Sequence, residues 1–185
     1  MRMQQAMKRE DVDRALKRIK SNDPIEAMEA AKALIAGGAK ASSTRLSEVA
    51  VNERLADWSR ISAIYALGLL NDLTCERLLM SILADCDEAR VLREHAAEAL
   101  GNLRSPRAVG LLRMIALSDQ RPTIKKWCVY ALGEISGSRA LSALQDLAAE
   151  HPSGTLEVEL NDTLKQVRMN GRRSRKGSRA KRRRS

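Results

Sequence analysis

The tripeptide Ala-Leu-Gly recurs at a nearly constant spacing along this chain. It begins at Ala66, Ala99 and Ala131, which lie 33 and 32 residues apart. Weaker copies without the glycine begin at Ala33 and Thr163. Self-similarity at this period is typical of a solenoid, in which each unit buries its apolar face against its neighbours. The chain is therefore predicted to be a repeat protein built from about five similar units.

The residues between these tripeptides favour helices. The chain has no Phe, two Trp and two Tyr, although 44% of its residues are hydrophobic. Ala, Leu and Met lose little rotamer freedom in a helix, and no segment alternates strictly as a half-buried strand would. Every proline falls at or just before the start of a predicted helix, where proline is tolerated. These prolines are Pro24, Pro106, Pro122 and Pro152.

Ten helices are predicted, paired into five antiparallel hairpins. The hairpins span about 9–37, 42–70, 74–103, 105–135 and 138–169. Asp23 is the predicted N-cap of the second helix, and Glu26 stands three residues later, at capping-box spacing. The expected fold is an all-α solenoid that occupies residues 1–170.

Residues 171–185 differ from the rest in charge. They contain nine of the 33 Lys and Arg residues and no acid, so the net charge of residues 1–170 is only +1. A segment with one apolar residue cannot offset the entropy of its ordering, and it is predicted to be a disordered tail. Its charge favours contact with nucleic acid or another polyanion over a merely solubilising or targeting role. The residues expected to make that contact are Arg172, Arg173, Arg175, Lys176, Arg179, Lys181, Arg182, Arg183 and Arg184.

The third and fourth units, around 91–109 and 124–135, carry a recognisable family pattern. They resemble the short HEAT-like repeats named after phycobilisome lyases. The resemblance covers 56–150 well and 9–55 and 151–169 less well. Ankyrin and tetratricopeptide repeats have a similar period, but their signature residues are missing from this sequence. The resemblance implies an α-solenoid, and it leaves the function open because such repeats serve many roles.

A second pattern accompanies the repeat. A basic residue stands six positions before the alanine of each full tripeptide, as Arg60, Arg93 and Lys125, and an acid stands six positions earlier again, as Asp87 and Asp119. In HEAT-like proteins such residues resemble a ladder between repeats. A structural role in joining the hairpins is therefore favoured over ligand binding.

The second helix of each hairpin is expected to line the concave side of a HEAT-like stack. On these helices, the positions four and one before the repeat alanine and three after it face away from the core. We call these fifteen positions the stripe. They are Glu29, Lys32, Ala36, Ser62, Tyr65, Leu69, His95, Glu98, Asn102, Trp127, Tyr130, Glu134, Glu159, Asp162 and Gln166.

Three of the four aromatic residues fall on the stripe, which favours docking of a protein partner. The residues predicted to bind that partner are Tyr65, His95, Glu98, Trp127, Tyr130 and Glu134. The alternative is that Trp127 or Tyr130 packs against the neighbouring repeat.

Enzymatic readings have less support in the residues. Deoxyhypusine hydroxylase has similar repeats whose His-Glu pairs hold iron, but here the order is Glu94-His95 and the other histidine is His151. No metal or other cofactor is therefore expected. A DNA glycosylase would need a more basic body than a net charge of +1 provides. An accessory of the phycobilin-lyase type, or another HEAT-like enzyme subunit, remains the alternative to a non-catalytic adaptor.

The cysteines and the hydropathy suggest the compartment. The three cysteines show no C-x-x-C spacing, and no apolar run approaches the length of a membrane span. The chain is expected to be cytoplasmic and to lack a membrane contact, with association with the nucleus or nucleoid left open. The partner and the oligomeric state are not predicted.

Overall fold

The computed structural model describes residues 7–39, 42–150 and 154–182, with the side chains of 155 and 171–182 excepted. Within these ranges the chain forms ten α-helices and no strand. The helices are α1 (Arg9–Ile19), α2 (Pro24–Ala36), α3 (Ser43–Ala50), α4 (Asp57–Leu69), α5 (Glu76–Ala84), α6 (Arg90–Asn102), α7 (Val109–Ser118), α8 (Pro122–Ile135), α9 (Gly137–Ala149) and α10 (Thr155–Arg182). Consecutive helices pair as α1–α2, α3–α4, α5–α6, α7–α8 and α9–α10. The predicted all-α solenoid of five hairpins is therefore confirmed.

Two helices differ from the expected boundaries. The first is α7, which begins at Val109 because Pro106–Ala108 forms a single 3₁₀ turn. The second is α10, which extends through Arg182, beyond the expected end of the fifth hairpin near residue 169. Disorder of residues 171–185 stays a prediction. A helix that is already nucleated grows by one hydrogen bond per residue, and Arg, Lys and Ala all favour it.

The even-numbered helices form one continuous row, in which α2 packs on α4, α4 on α6, α6 on α8 and α8 on α10. The leucine of each tripeptide copy points into the core between the rows. Leu34, Leu67, Leu100 and Leu132 are fully buried, and Leu164 is nearly so. One leucine per repeat at the same helical phase thus produces one layer of core per hairpin.

The glycine of the tripeptide permits close approach of neighbouring even-numbered helices. A β-carbon placed on Gly68 would lie 2.7 Å from the Cα of Ala99. A β-carbon on Gly133 would lie 2.6 Å from the side-chain methyl carbon of Thr163. The alanine or threonine of one copy therefore fills the space left by the glycine of the copy before it. This contact explains why the tripeptide recurs and why it changes at Thr163.

The start of α2 is capped by a side chain, as the sequence predicts. Asp23 is the N-cap of α2, since its carboxylate accepts the amide hydrogen of Ile25 at 2.9 Å. Glu26 does not complete the capping box, because its carboxylate accepts hydrogen bonds from Ser21 and Arg18. That expectation was wrong because these two donors on the preceding helix and loop lie within reach of Glu26.

The turns that follow the even-numbered helices use left-handed backbone at matching positions. Gly38, Asn71 and Arg104 have φ of 60°, 54° and 51°. After α6 the amide of Ser105 donates to the carbonyl of Leu100 at 3.2 Å, as in a Schellman motif.

Candidate partner-binding surface

Two buried arginines tie successive hairpins together. The Arg93 side chain is 2% exposed; its Nε donates to the carbonyl of Leu83 at 2.9 Å and its Nη2 donates to Asp119 at 2.7 Å. Arg60 repeats this arrangement one unit earlier, with Nε donating to the carbonyl of Ala50 at 2.9 Å. Each arginine therefore links its own hairpin to an acid of the next one.

The predicted ladder is thus structural, with one change of residue. The carboxylate that binds Arg60 belongs to Glu88 and not to Asp87. Asp87 is exposed, and its backbone amide donates to Asp85. At the third rung Lys125 donates to the carbonyl of Leu117 at 3.0 Å. The path of this loop brings Glu88, and not Asp87, to the guanidinium of Arg60.

The stripe lies on the even-numbered helices, and most of it is accessible. Of its fifteen residues Ser62 alone is buried, at 1% exposed. Tyr65, His95 and Glu98 are partly exposed, as are Trp127 and Glu134, while Tyr130 is 42% exposed. The predicted partner-binding residues therefore occupy neighbouring surface positions on α4, α6 and α8. Whether a partner binds there stays a prediction.

Trp127 and Tyr130 form an aromatic pair on α8. They are three residues apart on one helix face, and their ring centroids lie 5.6 Å apart at an interplanar angle of 85°. This edge-to-face geometry is one that aromatic rings prefer. Trp127 is partly buried and packs against the core, as the alternative interpretation expects, while its role in docking stays a prediction. Its packing orients Tyr130, whose ring is the more exposed of the two.

Carboxylates surround this pair. Glu98 on α6 pairs with His95, whose Nδ1 lies 3.1 Å from the Glu98 Oε2. Partial burial raises the pKa of Tyr130, and the negative charges of Glu134 and Glu98 raise it further. The exposed ring therefore lies in a region of negative potential, in which a cation is favoured and an anion is not.

The basic C-terminal residues are placed only in part. Arg172, Arg173, Arg175, Lys176, Arg179, Lys181 and Arg182 belong to the backbone of α10, and Arg183 and Arg184 lie outside the described residues. The role of this segment in binding polyanions stays a prediction.

The cysteines and the possible metal ligands are the candidates for chemistry in the described part of the chain. Burial raises the pKa of the Cys75 thiol to about 11 and that of Cys128 to about 12, so neither is a ready nucleophile. Cys86 is exposed. No three His, Cys, Asp or Glu side chains converge on a metal position in residues 7–39, 42–150 and 154–182, and His151 lies outside these ranges. Nor does any helix in those ranges have the length and apolarity to cross a bilayer.

Two contacts between distant parts of the chain were not predicted from the sequence. The indole Nε1 of Trp58 donates to the carbonyl of Ser21 at 3.2 Å and thereby joins the first two hairpins. The buried carboxylate of Glu76 accepts a hydrogen bond from Ser105 and pairs with Arg107 at 3.5 Å, which ties α5 to the turn after α6. Both contacts join residues that are about 30 or more apart, at positions where the other repeats have different residues, so no recurring pattern marks them.

HEAT repeats match residues 56–132 and 76–158, which together cover more than half of the chain. The chain therefore belongs to the HEAT-repeat family. In sequence, it is 30% identical over 93 residues to deoxyhypusine hydroxylase-B of Oryza sativa subsp. japonica. That alignment covers 50% of this chain and only 30% of the rice protein.

In structure, the chain is similar to a solved complex of CpcE and CpcF of phycocyanin lyase from Nostoc sp. PCC7120. The TM-score is 0.69 at 19% sequence identity, with 83% of this chain and 98% of the matched chain covered. At this identity the similarity establishes a shared fold, and the activity of the lyase does not transfer with it.

Proposed function

We propose that this HEAT-repeat protein is a non-catalytic adaptor. Its stripe binds a protein partner through Tyr65, His95, Glu98, Trp127, Tyr130 and Glu134, and its basic C-terminal segment contacts nucleic acid or another polyanion. The observation that carries the proposal is the aromatic pair of the half-buried Trp127 and the exposed Tyr130 on a continuous row of helices. Rigid aromatic side chains supply large contact area at low entropic cost, and they dominate the binding energy of many interfaces.

The packing of the helices supports the choice of this face. The even-numbered helices approach each other closely at Gly68 and Ala99, and at Gly101 and Ala131. The odd-numbered helices contact one another less. A more tightly stacked row has the shorter path, which supports placing the even-numbered helices on the inside of a curved stack. A concave surface of this kind surrounds an elongated segment of a partner and buries more area than a flat one.

The phycocyanin lyase structure favours a second candidate, in which the chain is an accessory of a bilin-attaching enzyme. The matched structure is a complex of two subunits, CpcE and CpcF. The partner would then be another repeat subunit, and the same aromatic pair would be available to it. Spectral changes on mixing the protein with a free bilin would support this candidate over the adaptor.

The adaptor is tested by capture of partners with the full chain. Replacement of Tyr130 by Ala should reduce capture of the specific partner about tenfold or more, a typical loss for an interface aromatic. The matched control is Met114→Ala on α7, whose side chain is 54% exposed away from the stripe. Equal capture by both variants at unchanged helicity would contradict docking on the stripe.

A further inference from the structure

The stripe carries more acidic than basic residues, unlike the rest of the folded body. The fifteen stripe positions contain five carboxylates, one Lys and no Arg, whereas residues 1–170 as a whole have a net charge of +1. The stripe therefore has a net charge of −4, and the other residues of 1–170 together have a positive net charge. A surface of this sign repels polyanions and attracts cationic segments.

The carboxylates at the two ends of the stripe are neutralised within the protein. Glu29 pairs with Lys32 at 3.0 Å, and Asp162 pairs with Lys165 at 3.0 Å. Glu159 on α10 pairs with Lys126 at 2.5 Å. These ion pairs leave little negative charge available at either end.

The centre of the stripe is different. Among the described side chains no Lys or Arg lies within ion-pair distance of Glu98 or Glu134. Glu98 has His95 as its partner, which leaves a net negative charge on the pair when the imidazole is neutral. The uncompensated charge therefore lies beside Tyr130, at the point where the aromatic surface is most exposed.

We infer that the centre of the stripe binds an arginine- and lysine-rich segment of a protein partner. The inference rests on the proposed docking function and names the chemistry of the partner. A guanidinium or ammonium group stacks on the exposed face of Tyr130, and Trp127 supports that ring from its edge. Glu98 and Glu134 pair with the same cation or with its neighbours along the segment. Arginine suits this arrangement best, because its planar group stacks on a ring and pairs with a carboxylate at the same time.

The test uses a labelled peptide and the full-length protein. The probe is a fluorescein-labelled peptide of nine arginines spaced by glycines, unrelated in sequence to residues 171–185, and binding is followed by anisotropy. The comparison peptide has Gln in place of each Arg. Binding of the basic peptide should weaken about tenfold in the double variant Glu98→Gln, Glu134→Gln, and the Gln peptide should bind poorly.

A matched control removes the same charge elsewhere. Glu48→Gln with Glu53→Gln lowers the negative charge by the same amount at exposed positions on α3 and the loop after it. This control should change the affinity less than about twofold, because exposed charges at a distance are screened. Equal weakening in both double variants would show a general charge effect and would overturn the site.

The remaining outcomes separate the inference from the proposed function. If a captured partner depends on Tyr130 but crosslinks to the stripe through a segment without Arg or Lys, the inference is wrong and the docking function stands. If the full chain self-associates and Glu98→Gln with Glu134→Gln abolishes this, the occupant is the C-terminal segment of a second copy, and the assignment to a different protein is overturned. If the basic peptide does not bind the unmodified protein at low salt, the inference fails.

Discussion

Gly101 and Ala131 are in direct contact across neighbouring helices, so that a β-carbon on Gly101 would lie 2.9 Å from the Cα of Ala131. The same contact joins Gly68 to Ala99 one repeat earlier. The recurring tripeptide is therefore the point at which the even-numbered helices touch. The geometry of the stripe depends on this contact, because it fixes the spacing between the helices that bear the aromatic and acidic residues.

Replacing Gly101 by Ala should therefore destabilise the protein, although alanine is the better helix former. The extra methyl group must displace the backbone of Ala131, and overpacking of this kind costs about 1–3 kcal/mol. The control is Gly110→Ala in α7, where a β-carbon would meet nothing within 4 Å. That variant should be more stable by about 0.5–1 kcal/mol. Urea unfolding followed by circular dichroism measures both, and a Gly101→Ala protein as stable as the control would refute the contact.

A second prediction concerns the turn after α6. Arg104 has φ of 51°, a left-handed conformation in which a β-carbon is unfavourable. Arg104→Gly should raise the free energy of unfolding by about 1 kcal/mol, because glycine adopts this conformation without strain. Asn71 occupies the matching turn with φ of 54°, and asparagine tolerates it better. Asn71→Gly should therefore gain less, and an equal gain at both sites would contradict the explanation.

The arginine ladder predicts a pH dependence. Burial raises the pKa of Asp119, but the amide of Arg121 and the guanidinium of Arg93 outweigh that effect and hold it below its usual 3.8. A carboxyl group with a lowered pKa in the folded state stabilises the protein above its unfolded pKa. This contribution is lost as the pH falls through the lower folded value.

Asp119→Asn should accordingly cost about 3 kcal/mol at pH 7, because it leaves the buried Arg93 without its counter-charge. The difference from the unmodified protein should shrink below about pH 4. Asp146→Asn is the control, since Asp146 pairs with Arg113 at an exposed position and should cost less than about 1 kcal/mol. A difference that stays constant from pH 7 to pH 3 would mean that the charge of Asp119 does not stabilise the fold.

The basic segment gives a prediction about salt. Deleting residues 171–185 should remove most binding to random duplex DNA, and it should leave the melting temperature of the rest nearly unchanged. With up to nine phosphate contacts, the logarithm of the affinity should fall with the logarithm of the salt concentration at a slope of up to about −8. Filter binding over a range of salt measures this slope. Binding that survives the deletion would place the nucleic-acid site on the folded body.

Much of this fold could be predicted because its determinants recur. One leucine per repeat sets the core layer, and a proline or a left-handed residue marks most of the turns. The partner of Arg60 could not be predicted, because Asp87 and Glu88 are adjacent acids and only the three-dimensional path of the loop decides between them. The extent of α10 beyond residue 169 was not predicted, because composition describes burial and not the propagation of an existing helix.

The candidate site was predictable in position and less so in detail. Helical spacing placed Trp127 and Tyr130 on one face, and the structure puts them there in contact. Helical spacing did not predict how far each ring is buried. Trp127 is partly buried and packs against the core, whereas Tyr130 is exposed. The negative net charge of the stripe can be counted from the sequence once its positions are known. Which of its carboxylates lack a basic partner can be seen only in the structure, because it depends on the ion pairs that form at the ends of the stripe.

The stripe is proposed to be the surface that binds a protein partner. The most direct test of this proposal is photo-crosslinking in cells with a photoreactive amino acid placed at Tyr130 in one full-length protein and at Met114 in another. Both side chains are exposed, one on the stripe and the other on α7. One dominant protein adduct is expected from position 130, and it should be missing from position 114. An adduct from position 114 alone, or the same adducts from both positions, would contradict it.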